Sequence, residues 1–177
     1  HSTVAHPDAM IWANLLAIPV LLLLSILQIG IVSRLPLLQG TADLFLLAII
    51  AWTLQRPVRN GWFWALVASG LTAFTSATSP IVPIISYGVT LGLVQFFKRQ
   101  VWQAPLLIML FLTLIGTFLY HSLTIVQLLL SGTSVPILDS LSVITLPSIL
   151  LNLALAIPVY AIMRDLANWI HPLDLES

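Results

Sequence analysis

The chain has no cysteine and very little charge. Without thiols there is no disulfide, no thiolate nucleophile and no cysteine-based metal site, and nothing marks the redox compartment. Charged residues make up 7% of the 177 residues, where a soluble globular domain carries about 25%. Six Lys+Arg and six Asp+Glu give a formal net charge of zero. So few charges do not cover the surface of a domain this size in water, and a net charge of zero does not keep it dispersed. These deficits exclude a soluble enzyme, a nucleic-acid binder and a disordered chain. What the sequence has instead is 59% hydrophobic residues and a mean hydropathy of +1.07, the composition of an integral membrane protein. Lys and Arg are absent ahead of the first apolar run, which is longer than a signal-peptide core. That run is therefore read as a retained span.

Crossing the hydrocarbon of a bilayer takes roughly 20 apolar residues in helical form. The runs predict an all-α, polytopic fold, a single transmembrane domain over residues 1–177 with six spans at about 11–32, 36–54, 61–77, 81–97, 104–130 and 146–163. They are continuously apolar and do not alternate, so they do not read as β-barrel strands. The breaks between them carry turn residues: Gln55 to Gly61 with Pro57, Ser76 to Pro80, the charged Lys98-Arg99-Gln100, and a longer loop from Ser131 through Asp139. Residues Ser140 to Thr145 read as a short amphipathic segment at the interface.

Basic residues set the orientation. With six spans, Arg56, Arg59, Lys98, Arg99 and Arg164 fall on one side and only Arg34 on the other. Both termini are therefore expected to be cytoplasmic. Trp12, Trp52, Trp62, Trp64, Trp102 and Trp169 all lie near the cytoplasmic ends of the spans, where indole favours the headgroup level.

Ionisable residues inside spans are the usual functional candidates, because burying them is costly. Only Asp43 and His121 qualify. Asp43 stands at the outer start of the second span. Thr41 can cap that helix, with the carboxylate favourable in its first turn. Alternatively Asp43 faces a groove and holds a neighbouring helix or a partner. His121, in the outer half of the fifth span, reads first as a hydrogen-bonded packing residue. The two share a depth and are candidates for a buried pair, but two groups do not make a proton wire. Small residues at four-residue spacing let helices approach closely: Ala13 and Ala17; Ala65, Ser69, Ala73 and Ala77; Gly88 and Gly92. Asn14, Gln28, Gln95, Gln127 and Asn152 are expected to bond between helices, each worth about 1 kcal/mol. Pro19, Pro83 and Pro158 are expected to kink their spans. The sequence holds no Walker loop, HExxH, GxSxG or paired carboxylates. The reading is a non-enzyme with no cofactor, no metal and no nucleic acid.

The order of motifs resembles the MreD family of bacterial rod shape-determining membrane proteins. The resemblance rests on Thr41-Ala42-Asp43-Leu44-Phe45-Leu46-Leu47 at the head of the second span. It continues through the small-residue stretch Trp62 to Pro80, the Gly-containing fourth span with its Lys98-Arg99 break, and Leu119-Tyr120-His121. It closes with Leu146-Pro147-Ser148-Ile149-Leu150-Leu151-Asn152, followed by Pro158-Val159-Tyr160 and Arg164. It extends from about Leu35 onward. Two departures stand out: Ala42 replaces the family's usual proline, and the stretch Gly70 to Thr75 lacks the aspartate common there.

The resemblance implies a scaffold or regulator in the bacterial plasma (inner) membrane. It would serve the elongation machinery that maintains cell shape through lateral peptidoglycan synthesis. The implied partner is a single-span MreC-like protein, with RodA, a class B penicillin-binding protein, RodZ and MreB beyond it. Asp43, His121, Asn152 and Arg34 are the partner or groove candidates. The implied fold is similar to that of the S components of ECF vitamin transporters. A second reading follows from that fold: a small-molecule binder whose outer cavity draws on the fifth-to-sixth loop, Asp43 and Asn152, and whose Ala13 and Ala17 meet a transporter core. A third reading is an accessory subunit of another large membrane assembly.

Overall fold

A computed structural model describes residues 7–30, 39–56, 58–76, 79–100 and 104–170. Arg34, Ala77 and Trp102 lie outside the described residues. The elements are α1 (Pro7–Gly30), α2 (Leu44–Leu54), α3 (Gly61–Thr75), α4 (Ile81–Phe97) with a 3-10 turn Lys98–Gln100, α5 (Pro105–Leu130), α6 (Ile137–Ser140), a π-helical turn Leu141–Thr145, and α7 (Leu146–Ile170). There is no strand among the described residues. Among the described residues three stretches are long and apolar enough to cross a membrane: Ile11–Gly30, Pro105–Leu130 and Ile137–Ile170. Large apolar side chains such as Ile26, Phe74, Leu107, Leu150 and Ile162 stand exposed on the outside, which is tolerable where the surrounding solvent is lipid and not water.

α2 is the centre of the molecule. It has 11 residues, and all of them from Leu44 to Leu54 are buried. A helix that is apolar all round belongs inside other helices, and α2 packs against α1, α3, α4, α5 and α7. On α1, Ala13, Ala17 and Leu21 turn inward at 0–1% exposure. The AxxxA pair is therefore consumed by the fold itself and is not free to meet a transporter core.

On α3 the buried face is Trp64, Ala65, Ala68, Ser69 and Thr72. Ala65 and Ser69 are in the interface as expected, while Ala73 is only partly buried. Four residues of helix overshoot a turn by about 40°, so a strict four-residue stripe rotates out of contact. Gly88 and Gly92 are exposed, and a Cβ added to either would meet nothing within 4 Å. Among the described residues, nothing therefore packs onto Gly88 or Gly92. A glycine in mid-helix that does allow close approach is Gly116 on α5, where a Cβ would lie 3.1 Å from Leu46 and 3.2 Å from Thr90.

The tryptophan belt is only partly as expected. Trp12, Trp62 and Trp169 are exposed, whereas Trp52 and Trp64 are fully buried and stack with ring centroids 4.5 Å apart. Trp52 Nε1 donates to Asn60 Oδ1 at 3.2 Å, and Asn60 Nδ2 donates to Asn14 Oδ1 at 2.6 Å. Those two indoles belong to the core.

The segment Ser140 to Thr145 is not a separate interfacial piece. α6, the π turn and α7 run on as one 34-residue helix. Pro147 has no N–H to offer the preceding turn, and Val143 O there accepts a bond from Gln39 N–H at 3.2 Å. Pro83 falls in the first turn of α4, where a missing N–H costs nothing. Pro19 and Pro158 stand inside α1 and α7.

Polar ties sort the helix ends into two groups. The start of α1 (Asn14), the start of α3 (Asn60) and the end of α4 (Lys98, which donates to Val58 O) share one end. The end of α1 (Gln28), the start of α2 (Ala42), the first half of α7 (Asn152), and the α3–α4 turn tied to the end of α5 (Ser79 to Gln127) share the other. Successive helices therefore alternate in direction.

Candidate functional site

The polar residues that the sequence placed separately along the apolar runs converge at the second of these ends. The strand-like stretch 39–43 enters α2 along the side of α7. Thr41 N–H donates to Ser148 Oγ at 3.0 Å, and Ser148 Oγ in turn donates to Ile144 O at 2.7 Å. Asp43 N–H donates to Asn152 Oδ1 at 2.7 Å, and Asn152 Nδ2 donates to Thr117 Oγ1 on α5 at 2.8 Å. Gly40 makes this approach possible, since a Cβ there would lie 2.5 Å from Pro147 Cβ and 2.7 Å from Ser148 N. From the other side, Gln28 of α1 donates to Ala42 O and accepts from Leu44 N–H at 2.8 Å.

Asp43, and not Thr41, is the N-cap of α2. Its Oδ1 accepts from Leu46 N–H at 3.0 Å, which satisfies one of the free donors of the first turn. Its Oδ2 accepts from Tyr87 OH at 2.8 Å. Tyr87 is fully buried, and its oxygen lies 3.2 Å from Thr72 Oγ1. With the phenol hydrogen on the carboxylate, the Thr72 hydroxyl is the donor in that pair. The capping role and the inter-helix role are thus the same role. One carboxylate ends α2 with one oxygen and ties it to α4 with the other.

A cavity of about 320 Å³ opens beside this network, bordered by Gln28, Asp43, Thr72, Tyr87, Tyr120 and His121 among others. Tyr87 and Tyr120 stack with centroids 6.0 Å apart, and Tyr120 meets His121 edge-on at 6.0 Å. Asp43 and His121 therefore border the same cavity, but neither a hydrogen bond nor an ion pair joins them. Asn152 is 1% exposed and is a clamp behind the cavity, not part of its wall. The loop between α5 and α6, expected to lend polar groups to an outer cavity, is largely exposed and is absent from the lining. Among the described residues no group of three or more His, Cys, Asp or Glu is placed to hold a metal ion.

Tyr87, Thr72, Thr117 and Ser148 escape a search for ionisable groups, since each carries a neutral hydroxyl within an apolar run. Their signal is that a buried hydroxyl in lipid needs a partner. Of the amides named from sequence, Asn14, Gln28, Gln127 and Asn152 do bond between elements, whereas Gln95 stands exposed. No protein-family profile matches the chain, and no curated protein or solved structure matches it significantly.

Proposed function

We propose that this chain is an MreD-like scaffold of the bacterial rod complex. In this reading it passes the plasma membrane six times, keeps both termini in the cytoplasm and binds a single-span MreC-like partner. The observation that carries the reading is the meeting of its motifs. The Thr41–Leu47 segment is hydrogen-bonded to the Leu146–Asn152 segment through Ser148 and Asn152, and Tyr120-His121 borders the same cavity. Three of the stretches that make the resemblance thus form one unit.

The alternating direction of α1, α2, α3, α4, α5 and α7 supports a reading with six passes. The short α2, about 16 Å long at 1.5 Å per residue, is surrounded by protein and has no need to match the bilayer thickness by itself. Arg56, Arg59, Lys98, Arg99 and Arg164 favour the cytoplasm for the end where α1 begins. The exposed Gly88 and Gly92 face of α4 offers a single-span partner a close approach. RodA, a class B penicillin-binding protein, RodZ and MreB would be reached through that partner.

The test is co-purification of the intact chain with an MreC-like protein in a mild detergent. Recovery of an equimolar complex supports the scaffold; repeated separation of the two on a sizing column sinks it. The small-molecule reading keeps one observation in its favour, the polar cavity at Asp43. Native mass spectrometry of the purified protein tests it: an organic adduct lost in Asp43→Ala would favour that reading over the scaffold.

A further inference from the structure

The basic end of the bundle holds a second cavity, of about 330 Å³, bordered by Thr53, Arg59, Gly61, Gln95, Lys98 and Arg99 among others. Among the described residues, three cations border it and no carboxylate does. The ion pair that Arg164 forms with Asp165 involves neither Arg59, Lys98 nor Arg99. Lys98 Nζ donates one hydrogen to Val58 O at 2.5 Å, which leaves the rest of the ammonium for another acceptor. Burial and then the charge of Arg59 hold the Lys98 ammonium down to about 8. The like charge of Arg59 thus adds to the cost of burying this ammonium.

Two further features face the same space. Thr53 is 3% exposed, and its Oγ1 is buried with no hydrogen-bond partner among the described residues. Gly61 begins the 15-residue α3 directly against it, where a Cβ would lie 2.3 Å from Thr53 Oγ1. Asn60 occupies the N-cap position but turns its side chain to Trp52 and Asn14, and it gives no side-chain bond to the first amides of α3. Phe63 N–H donates to Asn60 O at 3.1 Å, and the Gly61 and Trp62 amides that remain at this helix start attract an anion together with the helix dipole.

We infer that this cavity binds a phosphate group, with Arg59, Lys98 and Arg99 as counter-charges and the Thr53 hydroxyl and the first amides of α3 as hydrogen-bond donors. Donors converging from an ammonium, two guanidiniums, a hydroxyl and a helix terminus suit a tetrahedral, multiply charged oxyanion better than a planar carboxylate. The phosphate is supplied either by the headgroup of an anionic phospholipid or by a soluble phosphate. The inference stands apart from the rod-complex reading and does not depend on it.

The experiment uses the intact protein in neutral detergent, with phosphatidylglycerol, phosphatidylcholine and inorganic phosphate as separate probes. Binding is read by native mass spectrometry and by the unfolding temperature. Phosphatidylglycerol is expected to bind more tightly than phosphatidylcholine. The variant Arg59→Gln/Arg99→Gln changes two exposed side chains and should keep the elution volume of the parent. It should weaken phosphatidylglycerol binding roughly tenfold, and Thr53→Val should weaken it less. A rise in unfolding temperature with inorganic phosphate alone, lost in the double variant, assigns the site to a soluble phosphate. A rise with phosphatidylglycerol only, lost in the same variant, assigns it to the headgroup. Equal binding of both lipids with no effect of phosphate overturns the inference. So does unchanged binding in a correctly folded Arg59→Gln/Arg99→Gln protein.

Discussion

Tyr87 donates its phenol hydrogen to Asp43 Oδ2 at 2.8 Å, and in doing so joins α4 to the first turn of α2. A hydrogen bond to a charged acceptor is worth about 1.5–3 kcal/mol. Tyr87→Phe keeps the ring and its stacking on Tyr120 but removes that bond. It should lower the unfolding temperature in detergent by several degrees. Asp43→Ala should lower it further, because the cap of α2 goes as well. Equal melting of Tyr87→Phe and the parent would show that the bond carries no weight.

Glycines that look alike in sequence should behave oppositely. Gly40→Ala places a methyl within 2.5–2.8 Å of Pro147 and Ser148, partly against backbone that cannot move aside. It should destabilise by about 1–3 kcal/mol, the usual cost of overpacking. Gly88→Ala and Gly92→Ala meet open space and should leave the unfolding temperature of the isolated chain unchanged or slightly raised, since alanine favours helix. If the scaffold reading holds, the same two changes should weaken recovery of the partner. Thermal melts of the three variants side by side check the first part, and co-purification checks the second.

Asn152 serves two helices at once, accepting from Asp43 N–H and donating to Thr117 Oγ1. Asn152→Leu keeps the bulk and removes both bonds, so the Asp43 amide and the Thr117 hydroxyl lose their partners. Side-chain bonds between helices in bilayers are each worth roughly 0.6–2 kcal/mol. Hydrogen exchange should report the change most directly, with protection lost first at the Asp43 amide and then along the first turn of α2. Unaltered protection there would remove Asn152 from the network.

Lys98 gives a pH dependence whose sign is fixed. Its ammonium is depressed to about 8 in the folded chain, against 10.5 for a free lysine. Below pH 8 both states carry the proton and the folded state bears the full cost of burying it. As pH rises from 8 to 10.5 the folded lysine loses its proton before the unfolded one does, so this group adds stability over that window. Melting temperature followed against pH should show the rise, and Lys98→Met should abolish it. Because the side chain is partly exposed, the slope will be shallow. An oxyanion bound in the basic cavity should push the Lys98 ammonium back up and flatten the same curve.

The runs that form α1, α5 and the body of α7 were legible because each is long enough to cross hydrocarbon without help. The central position of α2 was not, since an apolar stretch looks the same whether lipid or protein surrounds it. Asp43, Gln28 and Asn152 stood out individually as polar groups in apolar surroundings. Their union depends on contacts across 109 residues, from Asp43 to Asn152, and no local pattern reports those. Trp52 and Trp64 sit at the sequence position of a headgroup belt, yet the Asn60 side chain draws Trp52 inward to a buried partner. Gly88 and Gly92 match a packing motif, yet the helix face they occupy is set by Val82, Ser86, Tyr87, Thr90 and Leu91 turning inward.

The enclosure of α2 also dictates how the protein must be made. A ribosome adds about 5–20 residues each second, so Asn152 emerges roughly 5–20 seconds after Asp43. Throughout that interval the short second helix lacks α7, for most of it α5 is missing as well, and the Asp43 amide lacks its acceptor. Until the last helix arrives, an 11-residue helix too short to cross the bilayer alone stands without its full enclosure. A chain truncated ahead of α7 would lack both the Asn152 acceptor and the helix that packs along α2.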